Sequence, residues 1–156
     1  MPHLQFFIPC DKVIINKEDD DLSIIGVLDG LLVESQDNQP VSDEKPVRLP
    51  RSWYTVAQWH KEVGDEEVAF QQRVQIVLPN GKLSGRSVSS RHYLHDQKAI
   101  FATKGTAIPF IGSGTYRFRL SFRVGDYEEE EIGWKIAAEY LFTIITDSSN
   151  EETESV

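Results

Sequence analysis

Metal chemistry needs several His, Cys, Asp or Glu side chains converging on one point. The nearest approach in this sequence is Ser90-Arg91-His92-Tyr93-Leu94-His95-Asp96. On a helix, His92 and His95 would stand on one side, and Asp96 could add an oxygen ligand. On a strand, residues three apart face opposite ways and that geometry is lost. The surrounding residues read as strand, so both are expected to be exposed histidines at a strand end. His60 follows Trp59 and precedes an acidic turn, which suits a solvated or salt-bridged imidazole better than a catalytic base. Cys10, the only cysteine, has no neighbouring His or basic pair to depress its pKa and is read as a buried structural thiol.

Two acidic runs, Asp19-Asp20-Asp21 and Glu128-Glu129-Glu130-Glu131, raise the question of calcium, which takes several oxygen ligands. Calcium loops space their acids around a turn glycine. Contiguous acids repel one another and stay solvated, so these are read as charged turns. Gly105, Gly112 and Gly114 do not form a phosphate loop, because no Lys-Ser or Lys-Thr follows and no strand-to-helix passage is predicted. There is no Gly-x-Ser-x-Gly and no His-Glu-x-x-His. The sequence therefore nominates no catalytic residue, no cofactor-binding residue and no metal ligand.

Tryptophans offer a different chemistry. Trp53 and Trp59 lie six apart and share a face if the segment is a strand. Exposed, they would form with Tyr54 an aromatic platform for sugar rings or a protein partner. Buried, they are core. Tryptophan is usually largely buried, which favours the second reading. Trp134 is also expected in the core.

The elements that position these residues are strands. From Tyr116 to Val124, Phe118, Leu120, Phe122 and Val124 point one way, while Arg117, Arg119, Ser121 and Arg123 point the other and form a wet face. From Val68 to Leu78, Val68, Phe70, Val74, Ile76 and Leu78 share a face with Gln72 as the one polar interruption. Pro79-Asn80-Gly81 then turns the chain, and a strand starting near Lys82 and Leu83 returns beside it. Further strands are predicted at Leu4 to Ile8, Lys12 to Asn16, Leu22 to Val33, Trp53 to His60, Ser87 to Tyr93, Lys98 to Thr103, Thr106 to Ile111 and Lys135 to Thr146. Gly26 and Gly30 are places for bulges or bends. Helix is the alternative at Trp53 to His60 and at Trp134 to Leu141.

Glu34 to Pro50 is polar and without period, a long exposed loop. Asp147 to Val156 is an acidic tail expected to be disordered. Residues 1–146 thus read as one domain: about eight strands in a two-sheet antiparallel β-sandwich. A chain of 156 residues can build such a core without disulfides. Its formal net charge of −9 disfavours nucleic acid. The N-terminus lacks a basic n-region and a full h-region, and no stretch reaches the roughly 20 apolar residues of a membrane helix. A reducing, cytoplasmic location is the default.

Several segments, in order, resemble an uncharacterised bacterial β-sandwich family, a domain of unknown function. They are Phe7-Ile8-Pro9-Cys10-Asp11-Lys12-Val13-Ile14, Leu22-Ser23-Ile24-Ile25-Gly26-Val27-Leu28-Asp29-Gly30, Leu49-Pro50 leading to Trp53 and Trp59, Gly64-Asp65-Glu66 before Phe70 to Gly81, and Gly114-Thr115-Tyr116-Arg117-Phe118-Arg119-Leu120 leading to Ala138 to Ile144. The resemblance covers most of the chain outside the long loop and the tail. It implies an immunoglobulin-like sandwich and brings no functional residues with it. The 34–50 loop is longer and more acidic than the family pattern, so a function located there would be private to this protein.

With no chemistry to nominate, the first expectation is a non-catalytic interaction domain, binding another protein through a sheet edge, the acidic loop or strand-end loops. The alternative is a carbohydrate or small-ligand module using Trp53, Tyr54 and Trp59. An enzyme ranks third, for want of a nucleophile and base. Open sheet edges would permit dimerisation, but nothing in the sequence selects for it.

Overall fold

The structure, a computed structural model, describes residues 2–16, 18, 21–34, 45–62, 68–84, 88–94, 97–129 and 131–147. Among them there are strands and turns and no helix. The strands are β1 (His3–Ile15), β2 (Leu22–Val27), β3 (Gly30–Glu34), β4 (Val47–Leu49), β5 (Trp53–His60), β6 (Val68–Val77), β7 (Val88–Leu94), β8 (Lys98–Gly105), β9 (Ile108–Phe110), β10 (Gly114–Val124) and β11 (Lys135–Asp147). One sheet has the order β2-β1-β5-β8 and a second the order β3-β11-β10-β6-β7, while β4 and β9 pair with each other. All pairs are antiparallel except β3 with β11, which run parallel with Ile145 beside Leu32.

Alternation builds the layer between the two larger sheets. Phe118 and Leu120 of β10, Phe70, Val74 and Ile76 of β6, and Phe142 and Ile144 of β11 are buried from one side. Trp53, Ala57 and Trp59 of β5 are buried from the other. Rings cross the gap: Trp53 meets Phe118 with centroids 5.0 Å apart, and Trp59 meets Phe70 at 4.7 Å in an edge-on arrangement. Each such side chain stabilises the fold by about 1.5–3 kcal/mol when fully removed from water. Gln72 sits in this apolar layer for a reason the pattern alone did not supply. Its Oε1 accepts the Trp59 indole N–H at 3.0 Å, so two buried polar groups satisfy each other.

The strands depart from the predicted boundaries in instructive ways. β1 runs unbroken through Pro9-Cys10, because Pro9 needs no donor at that position and its carbonyl accepts from Leu28 N. The segment from Leu22 to Val33 is two strands. The chain breaks at Leu28 and Asp29, buries Leu28, and β3 crosses to the other sheet. Gly26, read as a place for a bulge or bend, lies within β2 with unshifted pairing on either side and takes φ 69°, a conformation glycine adopts readily. Trp53–His60 and Lys135–Asp147 are strands, not helices: with partners on both sides, β5 buries Trp53, Thr55, Ala57 and Trp59 at period two. The long 34–50 loop holds β4, paired with β9, while residues 35–44 lie outside the described residues, as do 148–156. Among the described residues there are eleven strands against the expected eight or so; β4 was not foreseen, Leu22 to Val33 gives two, and near Lys82 and Leu83 only a single bridge from Leu83 to Val77 forms.

The wet face of β10 is the largest correction. Arg117 and Arg119 are half-buried, but Ser121 and Arg123 are only 2% and 5% exposed. The turn between β10 and β11 folds back over that end of the sheet. The Arg123 guanidinium donates to the carbonyls of Glu129 and Ile132, both at 2.8 Å, and also to Gln71.

Candidate interaction surface

The residues with the most reactive side chains are dispersed. Cys10 is fully buried, and that burial pushes its thiol pKa up. The nearby Asp11 carboxylate adds to the rise, while a backbone hydrogen bond from Lys12 opposes it. His60 is half-buried at the end of β5, opposite His3, which lies 3.7 Å from Glu62. His92 belongs to β7, in register with Phe70, and His95 and Asp96 lie outside the described residues. So do Asp19, Asp20 and Glu130 of the two acidic runs. Among the described residues no three His, Cys, Asp or Glu side chains gather as metal ligands would.

Gly105 serves packing. A Cβ there would come within 2.1 Å of the Trp53 ring, so only glycine lets the indole approach this backbone so closely. Gly112 provides the carbonyl that receives the Tyr116 hydroxyl at 2.7 Å.

The proposed platform of Trp53, Tyr54 and Trp59 does not have exposed rings. Trp53 and Trp59 are 4% and 1% exposed, and each indole N–H is spent inside the fold, on Ala107 O at 2.9 Å and on Gln72. Tyr54 is half-buried on the other face of β5, with the Lys104 ammonium 5.7 Å from its ring. The three therefore cannot present one flat aromatic surface. Core is the reading this burial supports for the two tryptophans. Trp134, expected in the core, instead sits half-buried outside it. Its ring is 4.4 Å from both the Arg73 and the Arg123 guanidinium, and Arg123 also lies 4.8 Å from the Tyr127 ring. This cation–π stack holds the β10–β11 turn against the sheet.

On the outward face of the five-stranded sheet, Gln75, Val77, Ser121 and Arg123 are buried, and what remains open among the described residues is the part formed by β3 and β11. There, Glu139 takes two guanidiniums: Arg117 Nη1 at 2.7 Å and Arg119 Nε at 3.0 Å. Arg119 is its partner across the β10–β11 ladder, and Arg117 stands one step along. Opposite Arg117 is Leu141, 60% exposed. Further along the same face of β11 comes Ile145, 56% exposed, directly beside Leu32 of β3, 69% exposed. Ile136, opposite Ser121, is exposed at the other end.

An aliphatic row more than half exposed beside a charge cluster is where a second molecule would gain most by docking. The sequence carried a signal for this row. In Tyr140-Leu141-Phe142-Thr143-Ile144-Ile145 the outward parity holds Leu141 and Ile145 with Thr143 as its one polar residue, although β11 needs only one apolar face. No family model matches the chain, and no curated protein matches it.

Proposed function

We propose that this chain is a non-catalytic protein-interaction domain of immunoglobulin-like architecture, working in a reducing compartment such as the cytoplasm. It binds another protein through the outward face of β3 and β11, beside Arg117 and Arg119 of β10. Three features support the architecture. An immunoglobulin domain sets strands A, B and E in one sheet and C, F and G in the other. Here β1, β5 and β8 are neighbours in that order, as are β6, β10 and β11, and β7 lies beside β6 where a variable-type domain adds a strand. Tyr116, near the start of the F-equivalent strand, bonds back to Gly112 O and receives Ile111 N–H at 3.0 Å, the corner that sandwiches of this kind use. The arrangement is the one implied by the family resemblance. The buried, unpaired Cys10 suits a reducing compartment.

The observation that carries the binding role is the row Leu32, Ile145 and Leu141, more than half exposed beside Arg117, Arg119 and Glu139. The apolar row supplies burial and the charge cluster supplies orientation. Affinity capture of the tagged chain from its native host, alongside a Leu32→Ser, Leu141→Ser double variant, tests this. These side chains are exposed, so the variant keeps the parent's stability within about 0.5 kcal/mol. The expected result is a stoichiometric protein held by the parent and absent from the variant. Equal capture by both would overturn the assignment of this face.

A further inference from the structure

The β1–β2 hairpin carries an independent surface. β1 pairs with β5 only as far as Cys10, opposite Tyr54. From Lys12 to Ile15 its described partner is β2 alone. The hairpin therefore runs past the sheet as a two-stranded ribbon, a form marginally stable in water by itself. β2 is also the end strand of its sheet, and among the described residues no strand pairs with its outer side. Its sequence, Leu22-Ser23-Ile24-Ile25-Gly26-Val27, has no charge and no proline. Soluble proteins commonly guard such an edge with lysine, proline or a covering loop. Ile14 and Ile25 are 44% and 47% exposed, and Ile15 and Val27 are each 47% exposed.

We propose that the edge of β2 pairs antiparallel with β2 of a second copy of this chain across a two-fold axis, joining the two four-stranded sheets into one. Charge selects this occupant. With a formal net charge of −9, two copies can meet closely only where acids are absent. The nearby charges sit at the two ends of the ribbon: Asp11 and Lys12 at one, Glu18 and Asp21 at the other. Asp11 is already held by Arg51.

In an antiparallel register centred on Ile24, Ser23 faces Ile25 of the second copy and Asp21 faces Val27 of the second copy. Asp21 of each copy then lies beside an uncharged residue and far from Asp21 of the other. The two-fold keeps each face continuous, so the exposed Ile25 side chains become neighbours on one side of the joined sheet.

Sedimentation velocity of the full chain across a wide concentration range tests the pairing, with Ile25→Glu as the variant. In the single chain, position 25 stands opposite Lys12, so a carboxylate there is locally favourable. In the pair, the two carboxylates would lie diagonally across the axis on one face of the joined sheet, near enough to repel. The expected result is a concentration-dependent dimer for the parent and a monomer with an unchanged thermal midpoint for the variant. A parent that stays monomeric throughout overturns the proposal, and so does a dimer that survives Ile25→Glu. If the variant unfolds, hydrogen exchange of the parent decides: the amides of Ser23 to Val27 should gain protection on concentration, and equal exchange in dilute and concentrated samples overturns the pairing. The Leu32→Ser, Leu141→Ser variant should still dimerise, which separates failure of this contact from failure of the partner-binding face.

Discussion

The Trp59 indole and the Gln72 amide are hydrogen-bonded to each other between the two sheets, 3.0 Å apart and each 1% exposed. Trp59 belongs to one sheet and Gln72 to the other, so this polar contact joins the two layers alongside the aromatic ones. It also removes Trp59 from any role as a surface aromatic.

Gln72→Leu should destabilise the fold by about 1–3 kcal/mol, because the indole N–H would remain buried without an acceptor. Trp59→Phe alone should also destabilise, through lost packing and an orphaned Gln72 amide. The double variant should be more stable than the sum of the two single losses implies, since neither polar group is then stranded. Urea unfolding of the four proteins, read by circular dichroism, measures the cycle.

Tyr116 ties the β9–β10 corner by donating to Gly112 O and accepting from Ile111 N. Burial raises its phenol pKa, and the Ile111 N–H only partly offsets this. A phenol whose folded pKa lies above its unfolded value leaves stability intact below the unfolded value, near 10, and drains it as pH climbs toward the folded value. Tyr140 acts in the same direction through its hydrogen bond to Asp29. Tyr116→Phe should cost about 1–3 kcal/mol at neutral pH. It should also flatten the alkaline fall in the thermal midpoint, which scanning calorimetry from neutral to strongly alkaline pH would record.

The β10–β11 turn depends on Arg123, whose guanidinium feeds two of the turn's carbonyls and stacks on Trp134 and Tyr127. Arg123→Met keeps the apolar stem and removes the donors. Amides in residues 125–129 and 131–134 should then exchange faster, while those of β5 keep their protection. Uniform loss of protection would mean that Arg123 holds the whole fold and not the turn.

Much of the fold was legible in the sequence because period two is a direct consequence of strand geometry. Phe118 and Leu120 fell inward, and Trp53–His60 proved a strand, for that reason. Arg123 was misread because its burial comes from a turn six to nine residues further along folding back, which no local pattern encodes. The split at Leu28 was hidden because a strand that changes sheets stays apolar on both sides of the crossing. The outward row of Leu32, Leu141 and Ile145 was present in the sequence as excess apolar parity. It became a surface only once the parallel pairing of β3 with β11 set Leu32 beside Ile145.

The face of β3 and β11 is the central claim, and site-specific photo-crosslinking inside the native host tests it most directly. A benzophenone side chain at position 141 is compared with one at position 104, exposed on the other sheet. Covalent adducts to one other protein from position 141, with none from position 104, are the expected result. No adduct from position 141, or the same adducts from both positions, would contradict the account.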